Sequence, residues 1–170
     1  MTLIVCPLHE VEAVTTARSP SHIVTLIGPL AELPACLGSS EAARLHLSFN
    51  DITKPAEGLT LPCADHIDEL IGFCRGWDRA SPLLIHCWAG ISRSTAAGFI
   101  LACERNPQAK EKDIAFELRR RSRYATPNRR IVALADDALG RQGRMVDAVD
   151  SIGRGEVAFE ARPFDLKAHW

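Results

Sequence analysis

The sequence lacks the long apolar runs and the charge imbalance that mark several large classes of protein. No apolar run approaches the ~18 residues that a membrane-spanning helix needs. Residues 1–7 contain neither a basic region nor a long apolar core, so they do not look like a signal peptide. A formal net charge of −1 gives no electrostatic basis for general nucleic-acid binding. We therefore expect a cytoplasmic protein with no membrane insertion and no nucleic-acid partner.

The cysteines lack the spacing of a disulfide framework, and their mostly apolar surroundings are typical of reduced thiols. The six are Cys6, Cys36, Cys63, Cys74, Cys87 and Cys103. Cys6 with His9, and Cys63 with His66, could together supply four zinc ligands. The first pair lies at the end of a predicted strand and the second in a predicted helix, so nothing brings the pairs together. We therefore expect no metal and no other cofactor.

Hydrophobic patterns predict one α/β domain. The 170 residues are 46% hydrophobic and 24% charged, which suits a single domain with a sizeable core. Short apolar or β-branched runs predict strands at residues 3–5, 22–27, 44–49 and 83–85. Strands that alternate with helical patterns predict a central, mainly parallel sheet of four to five strands flanked by helices. We assign residues 1–152 to this domain and leave the role of the aperiodic tail, residues 153–170, open.

Helical spacing of apolar residues predicts the helices, and proline and capping residues predict where they start. Early helices are expected at residues 8–18 and 30–37. A third begins with Pro62 in its first turn and carries a core-facing stripe that includes Cys74 and Trp77. After the buried helix at residues 94–103, Asn106 and Pro107 are expected to cap the next one. Thr126 is expected to cap the helix that follows, with Pro127 at its first position, and residues 145–152 resume a helical spacing.

The most specific stretch of the chain is residues 82–94. It begins with the apolar run of the fourth strand and ends in the buried helix. Between this strand and this helix lie Cys87 and Arg93, which are separated by five residues. A strand that feeds a tight loop and then a helix is an anion-binding arrangement, because loop amides and the helix N-terminus both favour negative charge.

Each residue type in this stretch has a chemical use. A helix N-terminus and nearby cations favour the thiolate form of a cysteine, so Cys87 is the candidate nucleophile. The planar fork of Arg93 matches two oxygens of a phosphoryl group. Ser94 can donate a hydrogen bond to the sulfur, and Gly90 permits a turn that a side chain would obstruct. His86 is expected to orient the loop through its ring nitrogens rather than to act as the base.

His86-Cys87-x5-Arg93-Ser94, with Ala89-Gly90 inside, resembles the catalytic loop of the cysteine-based protein tyrosine and dual-specificity phosphatases, including small bacterial enzymes. The resemblance covers residues 44–139 best. It implies the phosphatase fold, a phosphocysteine intermediate on Cys87, and phosphate binding by the loop that comprises Trp88, Ala89, Gly90, Ile91, Ser92 and Arg93. The competing interpretation is a core cysteine near a surface arginine, which leaves the flanking Gly, Arg and Ser unexplained.

The reaction needs an acid for the leaving oxygen, and Asp51 is the candidate. It lies 36 residues before Cys87 (87 minus 51), on a loop similar to the acid loop of these phosphatases. Alternatively, Asp51 only caps a turn. Asp65 and Asp68 are rivals inside the next helix, and Glu57 is a weaker one on the same loop.

Two features lie farther along the chain. Pro127-Asn128 resembles the pair that supports the catalytic loop in dual-specificity phosphatases, so Asn128 is a supporting residue. Six arginines between residues 119 and 130 are expected to form a solvated helix end, with a basic rim for phosphorylated substrates as the alternative.

The five loop positions contain no lysine, which argues against a multiply phosphorylated inositol substrate and favours phosphotyrosine or another monophosphate. Phosphoserine and phosphothreonine stay open, because no phosphotyrosine-binding loop with an aromatic clamp is recognisable. The expected partner is thus a phosphorylated protein or a small phosphomonoester. Other functions to weigh are a rhodanese-type sulfurtransferase, a phosphate-binding module with weak or no catalysis, and an arsenate reductase, which needs a relay of cysteines such as Cys103.

Overall fold

The fold is built on a five-stranded sheet. The computed structural model describes residues 2–31, 41–78 and 80–170. The strands are β1 (Thr2–Pro7), β2 (His22–Ile27), β3 (Ala43–Ser48), β4 (Leu83–Cys87) and β5 (Phe164–Lys167). Their order is β3-β2-β4-β1-β5, in which only β5, paired with β1, is antiparallel. The predicted α/β class and mainly parallel sheet are confirmed, and the fifth strand comes from the aperiodic tail.

Helices cover both faces of the sheet. Within the described ranges they are α1 (Val11–Arg18), α2 (Ala64–Arg75), α3 (Arg93–Arg105), α4 (Glu111–Arg121), α5 (Arg129–Ala138) and α6 (Arg144–Ile152). A short 3-10 helix, Leu8–Glu10, precedes α1. The helix predicted at residues 30–37 falls largely on residues 32–40, which lie outside the described residues. No helix of the described chain is both long and apolar enough to cross a membrane.

The alternation of side chains along β4 sets the direction of Cys87. Leu83, Ile85 and Cys87 belong to the large core, to which α2–α6 contribute, whereas Leu84 belongs to a smaller cluster on the other face with Val11 of α1. Cys87 is the last residue of β4, so it lies at the carboxyl end of a parallel strand. Ligands of open α/β sheets bind at this edge.

Helix α3 is buried on all sides, as its composition predicted. Every residue from Arg93 to Cys103 is buried. A Cβ at Gly98 would lie 3.1 Å from Val5 Cγ2, so the helix packs very close to the sheet. Burial of Phe99 or Ile100 stabilises the fold by about 1.5–3 kcal/mol each. The site-facing end of α3 therefore sits on a rigid support.

Two predicted helix starts were wrong because the segments before them are held by other partners. Thr60 is tied to Asn50 through both its backbone N–H and its carbonyl, which keeps the segment before Pro62 out of the helix, and α2 begins at Ala64 with Cys63 as its cap. Likewise α5 begins at Arg129 rather than at Pro127.

The predicted cap at Asn106 and Pro107 was also wrong. Asn106 ends α3 instead, and α4 begins only at Glu111. The Asn106 side chain donates to the carbonyls of Ala102 and Ala168 and accepts from the N–H of Trp170. A residue expected to start a helix therefore fixes the C-terminus of the chain.

Candidate active site

The loop from Trp88 to Ser92 joins β4 to α3, and its carbonyls are tied to groups outside it. Four of the five accept a backbone N–H: Trp88 from Leu8 (2.9 Å), Ala89 from Ala161 (2.8 Å), Ile91 from Thr126 (2.9 Å) and Ser92 from Asn128 (3.3 Å). In a trans peptide the C=O and the next N–H point in opposite directions. The amides of residues 89, 90, 92 and 93 therefore face away from these partners, toward the interior of the loop. With the N-terminus of α3 beside them, they form an anion cradle.

Gly90 allows the loop to lie against the end of β1. Its φ is +70°, a left-handed conformation that L side chains rarely adopt. A Cβ at this position would lie 2.8 Å from the backbone nitrogen of Pro7. The sequence-based role of Gly90, a turn that a side chain would obstruct, fits this geometry.

Cys87 and Ser94 lie side by side at the base of the loop. Cys87 Sγ is 3.0 Å from Ser94 Oγ, within hydrogen-bonding distance for sulfur. Both residues are buried. The hydroxyl is thus positioned to donate to a thiolate, and Cys87 is among the residues that line a cleft beside the loop.

The Arg93 side chain is buried but only partly used by the protein. Its Nη1 donates to the carbonyl of Phe49 at 2.9 Å, which fixes the guanidinium to the segment that follows β3. Its Nε has no hydrogen-bond partner in the part of the chain that the structure describes. A buried, unsatisfied N–H on a cation is costly, so an anionic ligand in the loop would satisfy it.

The structure brings Asp51 to the cysteine loop. One carboxylate oxygen, Oδ1, accepts from Ser92 Oγ at 2.8 Å and from Asn128 Nδ2 at 2.7 Å, and Oδ2 lies 4.0 Å from Arg93 Nε. These partners are remote in sequence, so the carboxylate does not cap its own turn. Asn50 closes that loop instead, by accepting from the N–H of Thr60.

Asn128 joins three parts of the site. Its N–H donates to the Ser92 carbonyl, and its side-chain amide donates to Asp51. Its Oδ1 accepts from the N–H groups of Arg130 and Ile131, which makes it the N-cap of α5 in place of the predicted Thr126. Asn128, expected from the sequence to be a supporting residue, therefore contacts both the cysteine loop and the candidate acid.

His86 faces the opposite side of the sheet from Cys87, where its Nε2 lies 2.7 Å from Thr25 Oγ1. Burial lowers the pKa of His86 to about 4, and the positive charges of His46 and Arg93 act in the same direction. A pKa this low makes the imidazole a weak base. Its hydrogen-bonded ring nitrogen, Nε2, contacts Thr25 rather than the loop that His86 was expected to orient. Thr25, its partner on β2, carried no signal in the sequence.

A cleft of about 340 Å³ opens over Cys87. It is lined by the loop residues except Gly90, by Arg93 and Asp51, and by Ala158 and Phe159 from the C-terminal tail. Asp51 is the one acidic residue in this lining; Glu57, Asp65 and Asp68 are not part of it. Trp88 forms a wall rather than packing beneath the loop. The tail residues were missed because no periodicity marks the segment that carries them.

The arginine run is engaged within the protein, and none of the six lines the Cys87 cleft among the described residues. Arg119 donates to four backbone carbonyls, those of Ala125, Ile152, Gly153 and Arg154. The others contact Glu117 (Arg120 and Arg121), Tyr124 and Glu156 (Arg123), Asp150 (Arg129) and the Pro62 carbonyl (Arg130). These contacts favour a structural role over a basic rim.

The other described cysteines form no disulfide with Cys87. The five in the described ranges are free thiols, and Cys36 lies outside them. Burial raises the pKa of Cys103, which is fully covered on α3. No group of three or more potential metal ligands occurs among the residues that the structure describes, and the Cys63 Sγ lies 3.2 Å from His66 Nδ1 in the same turn.

Solved phosphatase structures have the same architecture. Human DUSP28 aligns with a TM-score of 0.61 at 16% identity over 82% of this chain and 94% of that chain. The Cydia pomonella PTP-2 phosphatase gives 0.60 at 22% identity over 79% and 84%. PTPMT1 in complex with PI(5)P gives 0.58 at 13% identity over 82% and 90%. No protein-family model and no curated protein matches the chain. The chain thus has the tyrosine and dual-specificity phosphatase fold that its central motif predicted.

Gly90→Ala should damage both the loop and the stability of the fold. The added Cβ would collide with the Pro7 backbone, so we expect the free energy of unfolding to fall by about 1–3 kcal/mol and phosphate binding to weaken. Gly72→Ala is the matched control, because nothing lies within 4 Å of a Cβ there and alanine favours a helix by up to about 1 kcal/mol. Denaturant titration measures the free energy of unfolding of both variants. Equal stability of the two variants would contradict the proposed close approach.

Proposed function

We propose that the protein is a cysteine-dependent phosphatase that hydrolyses phosphomonoesters, with protein phosphotyrosine as the favoured substrate. The observation that carries the proposal is the position of the Cys87 thiol. It lies in a loop whose amides face inward at the start of a buried helix, with Ser94 at 3.0 Å and a partly unsatisfied Arg93 beside it. An anion cradle around a nucleophile is what phosphoryl transfer requires.

The first step forms a phosphocysteine. The Cys87 thiolate attacks phosphorus in line with the leaving oxygen, while the loop amides and Arg93 hold the other phosphoryl oxygens. The bond between phosphorus and the ester oxygen breaks, and Asp51 gives its proton to that oxygen. Asn128 and Ser92 support this role because they fix the Asp51 carboxyl against the loop.

The second step releases phosphate. Water attacks phosphorus, and Asp51, now ionised, takes a proton from it. The bond between sulfur and phosphorus breaks, and the electron pair returns to Cys87. The Ser94 hydroxyl donates to the departing thiolate, which makes it a better leaving group. The residues at hand supply the acid, the base and the nucleophile.

The charges around the cleft support a substrate with one phosphate. Among its lining residues only Arg93 is positively charged, and most of its remaining wall is apolar. The loop carries no lysine for a second phosphate, which argues against a multiply phosphorylated inositol. PTPMT1, a structural relative, was crystallised with PI(5)P, whose inositol ring carries one phosphomonoester, so this argument does not exclude a lipid of that kind. Phosphoserine and phosphothreonine are the alternative protein substrates.

The rival functions have less support. An arsenate reductase needs a second reactive cysteine, and Cys103 is fully buried with a raised pKa. A rhodanese-type sulfurtransferase has no use for the Arg93-Ser94 pair. A phosphate-binding module without turnover is the main alternative, and it shares every feature of the site except the action of Asp51.

Hydrolysis of p-nitrophenyl phosphate by the wild type and by Cys87→Ser tests the proposal. We expect turnover in EDTA with reductant that disappears in the variant, because a serine hydroxyl is far less nucleophilic than a thiolate. Circular dichroism serves as the control for folding. A wild type that binds phosphate but shows no turnover would favour the binding module, and turnover that survives in Cys87→Ser would remove Cys87 as the nucleophile.

Asp51→Asn should reveal a general acid through its dependence on the leaving group. We expect a loss of ~10²–10⁴ in kcat with phenyl phosphate, whose leaving group needs a proton, and a much smaller loss with p-nitrophenyl phosphate. Glu57→Gln, on the same loop but outside the cleft lining, is the matched control and should change neither rate. Equal, small losses on both substrates would assign the acid to another residue.

A further inference from the structure

The segment between α6 and β5, residues 153–163, contributes Ala158 and Phe159 to the lining of the Cys87 cleft; we call it the strap. Its first end is held by Arg119, which donates to the carbonyls of Gly153 and Arg154. The N–H of Gly155 donates to Thr126 Oγ1 at 3.0 Å. This end of the strap is therefore fixed by side chains from the segment around α4.

Close packing holds the same end against the segment after α4. The N–H of Glu156 donates to the Arg123 carbonyl at 3.0 Å. A Cβ at Gly155 would lie 2.5 Å from the carbonyl carbon and oxygen of Tyr124. No other residue fits here unless the strap moves.

The second end of the strap is bonded to the cysteine loop itself. The N–H of Ala161 donates to the Ala89 carbonyl at 2.8 Å, one of the bonds that turn the loop amides inward. Glu160, its neighbour, lies 3.0 Å from His9 Nδ1. The strap is thus fixed at both ends, and its middle residues have a defined position beside the site.

The middle of the strap exposes apolar side chains at that position. Phe159 is 88% exposed and lines the Cys87 cleft together with Ala158, while Trp88, 52% exposed, lines it from the loop. Val157 is fully exposed but lines the neighbouring groove instead. Large apolar side chains held in solvent beside a polar cradle are typical of a binding surface.

We propose that Phe159 is a specificity-determining residue, which with Trp88 contacts the aromatic ring of an aryl phosphate whose phosphoryl group sits in the cysteine loop. This inference rests on the proposed function, since it needs an anion in the cradle. Trp and Phe give large contact areas with few rotatable bonds, and aromatic pairs add attraction beyond burial. The apolar part of the wall also offers no charged group to a second phosphate.

Calorimetric titration with phenylphosphonate and methylphosphonate tests the proposal without turnover. Both probes carry the same anionic head, and only one carries a ring. Phenylphosphonate should bind the wild type more tightly than methylphosphonate does. Phe159→Ala should weaken phenylphosphonate binding by about three- to tenfold and leave methylphosphonate unchanged. Val157→Ala is the matched control, because Val157 is also exposed on the same strap but does not line the cleft; it should change neither affinity.

The outcomes separate the two proposals. If phenylphosphonate binds Phe159→Ala as well as it binds the wild type, the role of Phe159 is overturned while the anion cradle stands. If neither phosphonate binds the wild type, the cradle and the proposed function fall together. Gly155→Ala gives a second check, because it displaces the strap: we expect it to weaken the preference for phenylphosphonate, and an unchanged preference would contradict a wall fixed by this packing.

Discussion

The site depends on the outward hydrogen bonds of the loop between Cys87 and Arg93. Amides of an isolated loop would turn toward any acceptor, including water. Here four carbonyls accept hydrogen bonds from Leu8, which follows β1, from the strap, and from the segment before α5. The N–H groups on the opposite side of these peptides therefore point into the loop. The cradle is therefore organised before any anion enters, which lowers the cost of ordering it on binding. The proposed nucleophile, Cys87, and the proposed acid, Asp51, both depend on this one arrangement.

The same bonds couple the site to the rest of the chain. Asn128 holds the Ser92 carbonyl and the Asp51 carboxylate together, and Arg93 holds the carbonyl of Phe49. The loops after β3 and β4 and the start of α5 are thus joined side by side at the carboxyl ends of parallel strands. Because these contacts converge on a few polar groups, a change at one of them is expected to alter the others.

Local patterns in the sequence predicted the parts of the molecule that depend on local forces. The apolar run of β4, the buried helix and the spacing from Cys87 to Ser94 are contiguous, and with Asp51 and Asn128 they indicated the residues that the fold brings together. Helix starts near Pro62 and Pro127 were wrong because Asn50 and the cysteine loop hold those segments. Thr25 and Phe159 gave no signal, since their positions depend on the pairing of β2 with β4 and on the two fixed ends of the strap.

The central claim is that Cys87 forms a covalent bond to phosphorus during turnover. The most direct measurement is mass spectrometry of the protein after rapid acid quenching with p-nitrophenyl phosphate, with Asp51→Asn alongside to slow the second step. The account predicts a peptide containing Cys87 that is heavier by one phosphoryl group, and no such peptide from Cys87→Ser. Steady turnover by the wild type, with no phosphorylated Cys87 peptide from it or from Asp51→Asn, would contradict the phosphocysteine mechanism.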